Sequence, residues 1–318
     1  MSQNIPLIET VHLKKYFDTG SGVLHAVDDV NLTIPARKTL GVVGESGCGK
    51  STLGRTILRL TPATEGKILY NGTDILTYNS TKLRELRREM QIIFQDPYSS
   101  LNPRMTVSEL IAEPLVVNKV MKNKAELRER VRELMETVGL AARLETAYPH
   151  ELDGGRRQRI GIARALSVKP RFIVCDEPVS ALDVSIQAQI LNLLMDLQDE
   201  MGLTYLFITH DLSVVRHISD EIAVMYLGQC VERCESRELF NNPLHPYTRA
   251  LLDAIQVPDI SLRGKKKPII RGEVTSPIDP RPGCRFAARC PHATQACQGG
   301  PVPLREVSEG HFVACSLI

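Results

Sequence analysis

The segment Gly44-Glu45-Ser46-Gly47-Cys48-Gly49-Lys50-Ser51-Thr52 constrains this chain more than any other. It fits the pattern G-x-x-x-x-G-K followed by a hydroxyl residue. Before it, Thr39-Leu40-Gly41-Val42-Val43 reads as a buried strand; after it, Leu53 to Leu60 reads as a helix. Strand, glycine turn and helix in succession make an anion cradle. Glycine lets the backbone close around a ligand, and the helix start presents unpaired N–H groups with partial positive charge. Lys50 is placed to reach β- and γ-phosphates, and Ser51 to offer its hydroxyl to Mg²⁺. A glycine-rich turn that binds nothing is the alternative, and the flanking strand and helix argue against it.

The chain has 318 residues, 24% charged and 43% hydrophobic, enough to bury a full core and form more than one domain. Its 39 Lys and Arg against 37 Asp and Glu leave a formal charge of +2, which argues against a primary nucleic-acid binder. The polar start Ser2-Gln3-Asn4-Ile5-Pro6 lacks the apolar core of a signal peptide, and no run reaches membrane-spanning length. A cytosolic protein is expected, with any membrane crossing left to other chains.

Alternation over Leu7–Val11, Leu24–Val27 and Val30–Ile34 predicts antiparallel strands, with a turn at Gly20-Ser21-Gly22. Gly66–Gly72 continues as a hairpin piece, 82–89 as a charged helix and Gln91–Phe94 as a strand. Residues 106 to 166 carry apolar residues at threes and fours and read as mostly helical. The sheet returns at Phe172–Cys175. A helix over about 185–200, the strand Leu203–Ile208, a further helix and two short strands lead to Cys234. After Asn241 prolines break regular structure around the basic run Lys265-Lys266-Lys267, read as a solvated linker face. This segment is expected to be a separate C-terminal region with little sheet.

Three further positions bear on chemistry. Phe172-Ile173-Val174-Cys175 is continuously apolar, as a strand buried on both faces would be, and ends in Asp176-Glu177. Open parallel sheets bind ligands at the carboxyl ends of their strands. Asp176 can hold Mg²⁺ through water there and Glu177 can orient and deprotonate an attacking water; two acids capping the next helix are the alternative. A second strand ends in Ile208-Thr209-His210-Asp211, which sets His210 to bond a γ-phosphate or the water. Gln95, after Ile92-Ile93-Phe94, is an amide able to touch both metal and water. Leu152-Asp153-Gly154-Gly155-Arg156-Arg157 leads into a helix, with Asp153 a good N-cap and two glycines leaving the helix start open to an anion. A simple cap explains this piece equally well.

In this order and with these separations, loop 44–52, Gln95, Gly154-Gly155, Asp176-Glu177, Ser180-Ala181-Leu182-Asp183 and His210 resemble the ATP-binding subunits of ATP-binding cassette (ABC) transporters over residues 5 to 240. The resemblance implies an α/β fold: a P-loop NTPase core with an antiparallel β subdomain and a helical subdomain over about 96–166, spanning 1–240. A small Cys-rich domain would follow over 241–318. It implies that Tyr16 or Phe17 stacks on adenine and that Asp183 links the halves of a nucleotide-sandwich dimer. Glu177, His210 and Gln95 would be catalytic; the loop residues 44–52, with Asp153, Gly154 and Gly155, would bind ATP; Ser51, Gln95 and Asp176 would hold Mg²⁺. The family signature is Leu-Ser-Gly-Gly-Gln, whereas Asp153 and Arg156 stand at its serine and glutamine positions. An aspartate there would face the partner's γ-phosphate with like charge unless arginines offset it or it turns away to cap the helix.

Asn242–Leu252 and Gly283–Pro291 resemble the tail of the oligopeptide/dipeptide uptake group, most like its F-type ATPase subunits. This implies a second ATPase subunit, two membrane-spanning permease subunits and an extracytoplasmic peptide-binding protein as partners, and a peripheral place at the cytoplasmic face of the membrane. Nickel and glutathione importers share the tail. A weakly hydrolysing regulatory subunit is a second reading, and a soluble cassette ATPase acting on ribosomes or DNA a third. Cys284, Cys290, Cys297 and Cys315 crowd the same region without the paired C-x₂-C spacing of a zinc ribbon. Their spacing allows convergence on something wider, such as an iron–sulfur cluster. The resemblance favours [4Fe–4S]; zinc, with His292 or His311, is the alternative.

Overall fold

The computed structural model describes residues 5–255 and 276–318, so the lysine run 265–267 and the prolines Pro258 and Pro268 lie outside the described residues. The chain divides into two compact units. One is formed by the described parts of Met1–Ile34, Thr39–Leu76 and Thr209–Ile318, the other by Pro35–Lys38 and Thr77–Ile208.

In the first unit the chain runs through β1 (Ile8–Thr19), β2 (Gly22–Ile34), β3 (Thr39–Val43), helix α1 (Lys50–Ile57), β4 (Glu65–Tyr70) and β5 (Thr73–Asp74). β2, β1, β4 and β5 form an antiparallel sheet in that order. Ile8 sits opposite both Ile34 and Tyr70, which fixes a buried apolar face. The two short strands expected over 24–27 and 30–34 are one strand. Asp29 takes a left-handed backbone (φ 54) inside an irregularity of the ladder, and pairing resumes at Val30 opposite Leu13. Such bulges insert a residue without ending the strand. Helix α1 likewise begins earlier than Leu53, at Lys50, because Gly49 (φ 102) turns the chain straight from the loop into the helix.

The second unit holds α2 (Ser80–Glu89), β6 (Met90–Ile93), α3 (Val107–Val117), α4 (Lys124–Thr137), α5 (Gly154–Leu166), β7 (Phe172–Asp176), α6 (Val184–Met201) and β8 (Thr204–Ile208). β6, β7 and β8 run parallel, with Ile93 beside Cys175 and Asp176 beside Ile208. Every residue of β7 and β8 is buried, which is why both read as unbroken apolar runs. Helix α3 starts at a capping box in which Thr106 and Glu109 satisfy each other's backbone N–H groups.

The first unit resumes with α7 (Leu212–Ile218), β9 (Glu221–Tyr226), β10 (Gln229–Glu235), α8 (Ser236–Asn241), α9 (Pro246–Ala254), β11 (Arg305–Ser308) and β12 (His311–Val313). β9 lies parallel to β3, and β10, β12 and β11 follow it antiparallel. The C-terminal region thus contributes two strands where little sheet was expected. β11 is mostly polar and exposed and β12 is only three residues long, so the alternation that marks a strand is weak there. Tyr226, Tyr247 and Phe286 are fully buried against one another, with ring centroids 4.7 to 5.3 Å apart. Each such ring stabilises the region by roughly 1.5–3 kcal/mol on the scale for a buried large side chain. Among the described residues no helix is long and apolar enough to cross a membrane.

Candidate functional site

The phosphate-type loop leaves β3 at Val43 and wraps back to α1. Two of its glycines are fixed by close backbone approach. A Cβ on Gly44 would stand 2.2 Å from the Met225 carbonyl oxygen, and one on Gly49 1.9 Å from that of Ala26. Gly47 (φ 77) is open but left-handed. The side chain of Lys50 is buried (4% exposed) and folds across the loop, where Nζ donates to the carbonyls of Gly44 (2.9 Å) and Glu45 (3.0 Å) and lies 3.9 Å from Cys48 Sγ. These partners are neutral, so the loop holds a desolvated cation beside a helix start whose Gly49 cap offers no side-chain acceptor. This fits a polyanion: buried ammonium, helix N-terminus and glycines a side chain would block. Burial pushes the Cys48 thiol above its ordinary range, while Lys50 opposes that shift. Ser46 is exposed, and Ser51 and Thr52 are half-buried on the first turn of α1.

In the same unit, Thr209 donates its N–H to the Val42 carbonyl at 3.1 Å, which sets the exposed His210 beside the start of the loop. Asp211 caps α7. Of the two aromatics, Tyr16 stacks on His25 at 4.0 Å and donates its hydroxyl to Asp28. Desolvation and then the Asp28 bond raise its pKa. Phe17 is 37% exposed, with Lys15 Nζ 4.5 Å from its ring centroid.

In the second unit, Asp176 is buried at the end of β7. Glu177 follows in a left-handed conformation (φ 49), its N–H bonded to the Ile208 carbonyl at 2.9 Å. A non-glycine residue held there stores strain of the kind that gathers at functional sites. Its carboxylate accepts from the side-chain amide of Gln95 at 3.0 Å, which brings together two candidates 82 residues apart. Asp153 caps α5 by accepting from the Arg156 N–H at 2.8 Å, and the Arg156 guanidinium lies 3.5 Å from its second oxygen. Arg157 turns inward, donating to the Pro149 carbonyl at 2.6 Å over the ring of Tyr98. A Cβ on Gly155 would lie 2.7 Å from Ile186 Cγ2, so close helix packing requires that glycine. Asp183 caps α6 through the Ile186 N–H at 3.0 Å and is exposed.

The four C-terminal cysteines are unpaired. Burial raises the Cys284 thiol, and the charges of Cys297, Cys290 and Cys315 raise it further. Hydrogen bonds from Ser316 and Thr294 lower Cys297. Among the described residues, no group of three or more His, Cys, Asp or Glu is arranged to hold a metal ion. His311 is engaged elsewhere, its Nε2 on the buried Glu232 at 2.8 Å.

Sequence reasoning missed the partners of Glu45. Its carboxylate is gripped by the Arg289 guanidinium at 2.8 and 3.1 Å, and its N–H donates to the Tyr247 hydroxyl at 3.0 Å. No local signal marks contacts spanning 244 residues.

Residues 27–180 match the family model described as ABC transporter, and residues 231–297 the one described as Oligopeptide/dipeptide transporter, C-terminal region. The oligopeptide transport ATP-binding protein OppF of Bacillus subtilis (strain 168) is 53% identical over 311 residues, covering 98% of this chain and 96% of that protein. OppF of Salmonella typhimurium is 50% identical over 325 residues, 99% and 97%. Among solved structures, the dimeric post-hydrolysis state of the ATP-binding cassette MJ0796 bound to ADP and Pi is similar at a TM-score of 0.66. It is 30% identical and covers 72% of this chain and 99% of its own.

Proposed function

The chain belongs to the ABC transporter family, and we propose that it is the ATP-hydrolysing subunit that powers uptake of oligopeptides or dipeptides. The observation that carries this is Lys50, a buried ammonium folded onto neutral carbonyls inside a loop whose glycines admit no side chain. ATP is the polyanion such a loop suits.

In this reading Lys50 and the loop amides from Gly44 to Thr52 bind the phosphates, and Phe17, the more exposed aromatic, stacks on adenine in preference to Tyr16. Mg²⁺, when bound, would supply charge neutralisation at the phosphate oxygens. Ser51, Gln95 and Asp176 are the donors that would hold it. Glu177 takes a proton from the attacking water, Gln95 orients Glu177, and His210 bonds the γ-phosphate. Gly154, Gly155 and Asp183 serve a second ATPase subunit closing head-to-tail. Its place is the cytoplasmic face of the membrane, peripheral to two permease subunits that an extracytoplasmic binding protein supplies with peptide. The division into 1–240, with 96–166 as helical subdomain, and 241–318 follows the same reading. In the assembled transporter, peptide-loaded binding protein is expected to stimulate ATP hydrolysis, measured as phosphate release. Stimulation by nickel or glutathione in place of peptide would move the chain to those importers.

One observation favours a regulatory subunit as second reading. Asp153 keeps a carboxylate at the signature's serine position, held by the cap and by Arg156. The partner's phosphate would meet that paired charge in place of a hydroxyl.

For Cys284, Cys290, Cys297 and Cys315 the reading is a [4Fe–4S] ligand set. The four free cysteines offer the thiolate donor chemistry such a cluster takes. Zinc, which thiolates also bind, is the alternative. Iron and acid-labile sulfide near four each per chain in anaerobically purified protein is the expected result; zinc alone, or no metal, would remove the cluster.

A further inference from the structure

We propose that the C-terminal segment is a working part of the nucleotide site: Arg289 positions the phosphate loop through Glu45 and neutralises a carboxylate that would otherwise oppose the phosphates. The proposal rests on the reading that the loop binds ATP.

Glu45 is the first residue after Gly44, inside the loop itself. Each of its polar groups has a partner. The carbonyl accepts from Lys50 Nζ at 3.0 Å, the N–H donates to the Tyr247 hydroxyl at 3.0 Å, and the carboxylate receives both terminal nitrogens of Arg289. Two of these three partners come from beyond residue 240. A fork of two parallel N–H bonds fixes orientation as well as charge. The Arg289 side chain is only 7% exposed and is held in turn, with Nη1 3.3 Å from the Tyr226 hydroxyl. Its own turn is anchored by the Arg289 N–H on the Phe286 carbonyl (2.9 Å), with Phe286 buried among Tyr226 and Tyr247.

A second thread runs to another point of the loop. Arg285, one turn earlier, bonds Asp28 and the Leu227 carbonyl. The Asp28 N–H donates to Gly228 at 2.8 Å, and the Gly228 N–H to the Cys48 carbonyl at 2.8 Å. The segment Arg285–Arg289 thus braces the loop at two points, Glu45 and Cys48. The physical need is plain: a carboxylate in a loop built for phosphate repels its ligand unless a cation covers it. Arg289 covers that carboxylate directly, which leaves the Lys50 ammonium to the phosphates.

Calorimetry of the full chain with MgATP tests this by a double-mutant cycle. Arg289→Met should weaken ATP binding about tenfold, equivalent to about 1.4 kcal/mol. Arg289→Lys, which keeps the charge and loses the fork, should recover part of it. In a Glu45→Gln background the same Arg289→Met change should cost less than about twofold, because no carboxylate is left to cover. A merely structural arginine would cost the same in both backgrounds, and that result overturns the proposal. So does unchanged ATP binding in Arg289→Met, while the ATP reading stands. Absence of ATP binding by the unsubstituted chain overturns both. If Arg289→Met does not fold, Arg289→Lys carries the cycle, and its loss must shrink in the Glu45→Gln background.

Discussion

Glu177→Gln should leave ATP binding intact and slow hydrolysis in the assembled transporter by about 10²–10⁴-fold, the range for removing a general base. The substitution is conservative in every respect but one. Glutamine matches glutamate in size, so the left-handed backbone at 177 and its N–H bond to Ile208 are not newly strained. The Gln95 amide, 3.0 Å away, still finds an acceptor oxygen in the new side chain. What is lost is the ability to take a proton from water. Equilibrium ATP binding measured beside single-turnover phosphate release separates the two. The result also decides between the readings of this chain. If it is a regulatory subunit whose own site hydrolyses little, transporter turnover in Glu177→Gln stays within about twofold of the unsubstituted rate.

Legibility in the sequence followed the range of the interactions. β3, β7 and β8 were readable because strands buried on both faces leave an unbroken apolar run. The loop was readable because its glycines and lysine are adjacent in the chain. The strands read separately over 24–27 and 30–34 are one, because pairing with β1 carries the chain through Asp28-Asp29. Both readings of Asp153 were written in the sequence; in the fold it caps α5 through the Arg156 N–H, with the Arg156 guanidinium 3.5 Å from its second oxygen. The Gln95–Glu177 bond and the grip of Arg289 on Glu45 were invisible. Gln95 and Glu177 were each marked as candidates but not as partners, Arg289 was not marked at all, and only long-range folding makes these pairs neighbours. An arginine between two cysteines carries no mark that its partner lies in the loop at the other end of the chain.

Lys50→Met should lower ATP affinity by at least about 10²-fold while the chain remains folded, in keeping with the loss of a preorganised charge donor. Methionine preserves the apolar stem that runs through the buried interior of the loop and removes only the ammonium. The Gly44 and Glu45 carbonyls lose a charged donor at 2.9 and 3.0 Å. That destabilises the loop by about 1–3 kcal/mol, which a chain of this size absorbs as a modest drop in thermal midpoint. The phosphates lose far more, because a desolvated cation interacts with them through a low-dielectric surround that water does not screen. Arginine should not rescue: its planar fork is broader than the ammonium, which is buried against the Gly44 and Glu45 carbonyls. Calorimetric titration with MgATP, paired with a thermal unfolding curve, gives both quantities. ATP affinity within a few fold of the unsubstituted chain, at unchanged midpoint, would show that the buried ammonium serves the loop's own carbonyls and not a ligand.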